Sequence, residues 1–155
     1  VSENLRFSST YQYFAHPVKK LRPWLAAEAT QQLFPRQIKK VELNPVNTQN
    51  IDANYKVWVG LGVIQIPFNF KMRFYQPDAL QNQFNANGGD LKFVKGGMRL
   101  LPQSQGTLFQ ITSSMKIHDQ APFLLRAMRS MPYHDILPAV GGNTVYALKV
   151  QQKLR

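Results

Sequence analysis

Cysteine is absent from this 155-residue chain. Its absence excludes disulfides, thiolate metal sites and cysteine nucleophiles, and leaves the redox compartment open. Histidine occurs three times, as His16, His118 and His134, with no two spaced three or four residues apart. No helical metal-ligand pair exists, and no metal site is expected. His118 and Asp119 are adjacent, but neighbouring strand residues point to opposite faces. Acidic residues number 8 against 19 Lys and Arg, a net charge of +11. They are dispersed as Glu3, Glu28, Glu42, Asp52, Asp78, Asp90, Asp119 and Asp135. A carboxylate acid–base pair therefore has to be assembled by the fold. Asp78, Asp90 and Asp135 suit turns and caps, while Glu28 is placed to reach an interior. Apolar runs are as short as Leu100-Leu101 and Val57-Trp58-Val59. None approaches the roughly 20 residues that span a bilayer. No signal peptide is evident, and a start at Val1 implies that an upstream segment was removed. The glycine pairs match neither a phosphate-binding loop nor a dinucleotide fingerprint, and Ser8-Ser9 and Ser113-Ser114 lack a nucleophile-elbow context. No catalytic residue and no cofactor is expected.

What the chain does contain is alternation. From Ile64 to Phe74 every even position is large and apolar: Ile64, Ile66, Phe68, Phe70, Met72 and Phe74. The odd positions are polar or proline. Successive strand side chains point to opposite faces, so the run is a strand with one apolar face. A Phe- and Met-rich face suits an adaptable pocket, because methionine is unbranched and polarizable. An ordinary core is the competing reading.

The same reasoning along the chain predicts a strand over Leu5–Ala15 and a helical stretch over Val18–Ala29 with a break or a helix start at Pro23. A helical turn over Thr30–Pro35 and strands over Ile38–Leu43, Ala53–Leu61, Ile64–Phe74 and Ala79–Phe84 follow. After a turn at Asn87–Asp90 come strands over Leu91–Leu101, kinked or bulged at Gly96-Gly97, and Thr107–His118. Leu124, Leu125, Met128 and Met131 then share a helical face until Pro132. A final helix follows from Asp135, with Val140, Ala147 and Leu154 seven apart and supported by Leu148 and Val150. Gly141-Gly142 inside it marks a bend or a close approach to another element. With no repeat or linker, residues 1–155 read as a single domain. The class is α+β: a curved antiparallel sheet of about seven strands wrapped around a C-terminal helix, with two short helices after the first strand.

Three local patterns stand out: Phe34-Pro35 leading to Ile38–Glu42, Gly89–Phe93 followed by Gly97–Pro102 and Gly106-Thr107, and Ala121–Leu125. With the element order, they resemble the START-like (SRPBCC) helix-grip superfamily of polyketide cyclases, ubiquinone-binding proteins, START lipid-transfer domains and the birch-pollen-allergen family. The resemblance covers nearly the whole chain. It implies a cavity between sheet and C-terminal helix that holds an apolar ligand: a lipid, sterol, quinone or polyketide. It carries over no catalytic residue. Pro132, Pro138 and Gly141-Gly142 depart from a smooth terminal helix and suggest a gate at the cavity mouth.

On this reading the cavity draws on Tyr55, Val57 and Val59; on Ile66, Phe68, Phe70 and Met72; on Phe84 and Met98; and on Phe109, Ile111, Ser113 and Met115. Leu124, Met128 and Met131 close it from the helical side. Ser113 is either a satisfied core hydroxyl or a handle for a ligand. The leading expectation is non-enzymatic binding and transfer of a lipid or other hydrophobic molecule, with the positive charge favouring transient docking on an anionic membrane. A cyclase- or aromatase-like enzyme is the alternative, with Tyr55, Arg99, Ser113 and His118 as its polar groups. A third reading is a basic nucleic-acid or protein-binding module, with Lys56, Trp58, Lys71, Arg73 and Tyr75 as a stacking platform. Compartment and oligomeric state are left open.

Overall fold

Period-two alternation organises the observed architecture. The computed structural model describes residues 6–61, 63–89, 91–117 and 137–155. Seven strands form one antiparallel sheet: β1 (Ser8–Phe14), β2 (Ile38–Pro45), β3 (Asn50–Leu61), β4 (Ile64–Asp78), β5 (Gln81–Gly89), β6 (Leu91–Gln103) and β7 (Gly106–Ile117). Their order is β1-β7-β6-β5-β4-β3-β2. Strands β2 to β7 form a continuous meander, and β1 pairs with β7 from Ser8 opposite Ser113 to Phe14 opposite Thr107. The chain crosses from one sheet edge to the other through α1 (Val18–Leu21), a 3₁₀ turn (Arg22–Leu25) and α2 (Ala29–Leu33). The C-terminal helix α3 (Leu137–Lys153) packs on β7 and β1 and touches α2. This is the α+β architecture expected from the sequence. No helix among the described residues is long and apolar enough to cross a membrane.

Some local expectations hold and others are corrected. The stretch Val18–Ala29 does break at Pro23, as expected: α1 stops at Leu21 and Pro23 sits at the start of the 3₁₀ turn. A proline ring clashes with the carbonyl four residues back, but fits the first turn of a new helix. The four-residue spacing survives the break, since Leu21, Leu25, Ala29 and Leu33 are all buried. Strand β4 runs past Phe74 through Pro77, where a register shift between Tyr75 and Asp78 accommodates the missing N–H. Gly96-Gly97 is not a bulge: both ladders of β6 pass through it without a register shift. Its cause is steric, because a Cβ on Gly96 would lie 2.8 Å from the Phe84 ring and 2.1 Å from the Thr112 carbonyl oxygen.

Helix α3 buries part of the expected stripe: Ala147 and Val150 face the core and Leu154 packs against it. Val140 and Leu148 are exposed, and the buried positions are Ala139, Asn143, Ala147 and Val150. Small alanines allow a close approach to the sheet, and the Asn143 amide has partners only on that side. Gly141-Gly142 makes no close approach: no described atom lies within 4 Å of a Cβ built on either. Nor does it interrupt the helix. The predicted helical face of Leu124, Met128 and Met131, together with His118 and His134, lies outside the described residues.

Phe14, Leu21, Leu25, Leu33, Leu100, Phe109, Ala147 and Val150 fill the closed end, where α3 meets the short helices. Asn82 ties β5 to the 3₁₀ turn by donating to the Leu25 carbonyl.

Opposite responses to alanine are expected at two glycines. Gly96→Ala should destabilise by about 1–3 kcal/mol through overpacking. Gly141→Ala, in open space on a helix, should stabilise by about 0.5–1 kcal/mol. Urea unfolding measures both, and a neutral Gly96→Ala would contradict the seat of Phe84.

Candidate functional site

A cavity of about 240 Å³ lies on the concave face, where three apolar clusters meet. Phe84 packs against all three clusters. The wall from the sheet consists of Tyr55 on β3; Phe70, Met72 and Phe74 on β4; Phe84 on β5; Val94 and Met98 on β6; and Ile111, Ser113 and Met115 on β7. Thr30 of α2 and Ala139, Gly142, Asn143 and Tyr146 of α3 complete the described lining. Aromatic contacts stiffen the β3–β4 side. Tyr55 stacks on Phe70 with centroids 4.9 Å apart and meets Phe74 edge-on at 6.5 Å. Thioethers on Met98 and Met115 leave the β6–β7 side adaptable, and Met72 adds a third on β4.

The polar groups are few and each is held by the protein. Thr30 Oγ1 donates to the Ala27 carbonyl at 2.8 Å, so its 3.1 Å bond with the Tyr55 hydroxyl has tyrosine as donor. Ser113 Oγ donates to Asn143 Oδ1 at 2.7 Å. Asn143 Nδ2 donates to the carbonyls of Ser8 (3.1 Å) and Ile111 (3.3 Å), which fixes the amide orientation. The Tyr146 hydroxyl donates to the Trp24 carbonyl at 2.5 Å. Burial pushes the Tyr55 phenol up to about 12, against the Thr30 hydrogen bond and helped by the Glu28 charge. Burial also pushes Tyr146 up, with Tyr55 adding to the effect. Both phenols are protonated at neutral pH and unsuited to act as bases there. Among the described residues no Lys, Arg, His, Asp or Glu lines the cavity.

Of the residues singled out in the sequence, the structure gathers Tyr55, Phe70, Met72, Phe84, Met98, Ile111, Ser113 and Met115 around one space. Three others on the same face do not reach it. Phe68 packs with Ala86 and Val94, Val57 flanks that cluster, and Phe109 is buried edge-on against Phe14 at the closed end. The side chains of Val59 and Ile66, like Leu124, Met128 and Met131, lie outside the described set. Phe74 and Val94 continue alternations visible in the sequence. Thr30, Ala139, Gly142, Asn143 and Tyr146 carry no such signal, because small or polar helical residues read as solvent-facing. Glu28 is exposed and borders a surface depression with Gln31 and Val41 instead of the cavity. Arg99 is exposed on the opposite, convex face, in an open groove with Arg73 and Lys95.

That convex face also carries Lys56, Trp58, Lys71, Arg73 and Tyr75. Arg73 forms a bidentate pair with Asp52 at 2.7 and 3.0 Å, which holds the Asp52 carboxyl below its ordinary range. Trp58 lies opposite Pro67, and Tyr75 opposite Asn50. The two rings are thus eight ladder positions apart, about 27 Å at the usual strand rise. They do not form one stacking surface.

No family model and no curated protein matches the sequence. Solved structures match it over nearly its full length at low identity. The Zhui aromatase/cyclase from Streptomyces sp. R1128 is 14% identical with a TM-score of 0.70, covering 98% of this chain and 97% of that one. Ara h 8.0201 is 14% identical at 0.69, covering 97% of each chain. A START superfamily protein from Mycobacterium smegmatis is 14% identical at 0.64, covering 96% of this chain and 99% of that one. At such identities the shared property is the fold.

Tyr55 generates a pH prediction. Its folded-state value lies above the ordinary 10.0, at about 12. In the intervening range the native state keeps a proton that the unfolded state has lost. The associated stability is complete below pH 10 and falls as pH rises towards 12. Tyr55→Phe should flatten this alkaline slope in urea unfolding at stepped pH; an unchanged slope would place the phenol in solvent.

Proposed function

We propose that this helix-grip protein binds an apolar small molecule, of the lipid, sterol, quinone or polyketide kind, in the cavity between sheet and helix, and carries it unchanged. The observation that carries this reading is an uncharged described lining of aromatic rings and thioethers. Removing 200 Å² of apolar ligand surface from water contributes about 5 kcal/mol, at roughly 25 cal/mol per Å². The volume of about 240 Å³ lies below the roughly 300–1,000 Å³ of common ligand sites and favours a compact ring system or one end of a longer molecule.

Conversion of the ligand has less support. The Zhui neighbour is an aromatase/cyclase, and Tyr55 and Ser113 are the polar groups available here for such work. Both have their protons engaged, and the Tyr55 phenol is raised rather than lowered.

Delivery to a membrane is the finer part of the proposal. A net charge of +11 attracts the chain to anionic headgroups, at about 1 kcal/mol per basic residue near the surface. Sedimentation with phosphatidylserine vesicles, lost in high salt and absent with phosphatidylcholine, is the expected result. Equal binding to both lipids would remove the electrostatic step.

Met115→Trp tests the cavity itself. The larger side chain should occupy the space and weaken binding of the uncharged fluorophore N-phenyl-1-naphthylamine by about tenfold or more, with the far-ultraviolet circular dichroism retained. Undiminished binding by a folded Met115→Trp protein would move the ligand elsewhere. Native mass spectrometry followed by solvent extraction would name the class of any ligand that accompanies the protein.

A further inference from the structure

The hydrogen bonds around the cavity have a direction. The Thr30, Tyr55, Ser113 and Tyr146 hydroxyls each give their single proton to a protein acceptor, and both Asn143 amide protons go to backbone carbonyls. A hydroxyl whose proton is engaged retains oxygen lone pairs. Lone pairs are therefore what these side chains have left to offer, joined by the weakly accepting sulfurs of the three methionines. Among the described lining residues no side chain is a free donor or a cation.

We infer that the cavity selects apolar molecules bearing a hydrogen-bond donor, an alcohol or phenol, over carbonyl-only and carboxylate analogues of the same shape. The inference rests on the cavity being the binding site and narrows the classes proposed above towards hydroxylated ring systems. A hydroxyl buried here meets an acceptor. A carbonyl loses its water partners and meets oxygen or sulfur lone pairs. A carboxylate loses more, since a buried charge without a partner is costly. The raised phenols of Tyr55 and Tyr146 keep this polarity unchanged through neutral pH.

The direction is set locally, so it can be reversed. Thr30 is the acceptor for Tyr55. Thr30→Val preserves side-chain shape, removes that acceptor and releases the Tyr55 proton into the cavity as a free donor.

The test is equilibrium binding of naphthalene, 2-naphthol, 1-tetralone and 2-naphthoate to the wild-type and Thr30→Val proteins, by displacement of the uncharged fluorophore N-phenyl-1-naphthylamine. In the wild type 2-naphthol should bind about 3- to 10-fold more tightly than naphthalene, the range of one net hydrogen bond. Tetralone should show no such gain and naphthoate should bind weakest. In Thr30→Val, tetralone should gain by a similar factor. Tetralone equal to or tighter than naphthol in the wild type would overturn the inference and leave the cavity reading standing. If no probe binds, or if all bind Met115→Trp as well as the wild type, the cavity reading itself fails. The wild-type series decides the matter even if Thr30→Val does not fold.

Discussion

Among the described residues one long helix rests on a seven-stranded sheet, and the mismatch between them leaves room for the site. The concave face is apolar along most of its strands and has to be withdrawn from water. Among the strands, helix α3 packs chiefly on β7 and β1, held close by Ala139 and Ala147. At its C-terminal end the short helices supply Leu21, Leu25 and Leu33, and the interior closes. Towards its N-terminal end no comparable filling is found among the described residues, and the space between helix and sheet is the cavity. The same constraint that requires a covering helix thus also leaves a space beneath it.

Phe84 links the solid part to the hollow part. Its ring lies over Gly96, where a side chain would collide, and packs against all three apolar clusters. Gly96 trades the packing of a side chain for the seat of a larger one from the neighbouring strand. The hydrogen bonds make a similar exchange. Asn143 sacrifices helix propensity, yet its amide joins α3 to β7 through Ser113 and Ile111 and to β1 through Ser8. Fastening the helix in this way uses up the side-chain protons nearest the ligand space, so the device that holds the fold together also sets the polarity of the site.

The two faces of the sheet divide the chemistry. Cations accumulate on the convex side, where Arg73 is engaged by Asp52 and Lys40 by Glu42, and the concave side is uncharged among the described residues. A positive outer charge and a described lining without charge suit the proposed carriage, since the first is drawn to an anionic surface and the second offers an anion no partner.

The strands were legible because their signal is local: Phe68, Phe70, Met72 and Phe74 alternate with Asn69, Lys71 and Arg73, and nothing distant is needed to see which face is apolar. The resemblance in pattern then supplied the helix-grip architecture, which the antiparallel order of the sheet matches. Register-dependent details were not legible. Whether Gly96 bends a strand or receives a ring depends on Phe84 lying opposite, and whether Val140 or Ala139 faces inward depends on where the helix is pinned. The sequence by itself determined the sheet, its apolar face, the positive surface and the absence of cysteine chemistry, all properties of composition and period. Only the tertiary structure decided which apolar side chains line a space and which fill it. It alone decided the direction of each cavity hydrogen bond, because Ser113 and Asn143, Asn143 and Ser8, and Tyr146 and Trp24 are partners separated by long stretches of chain.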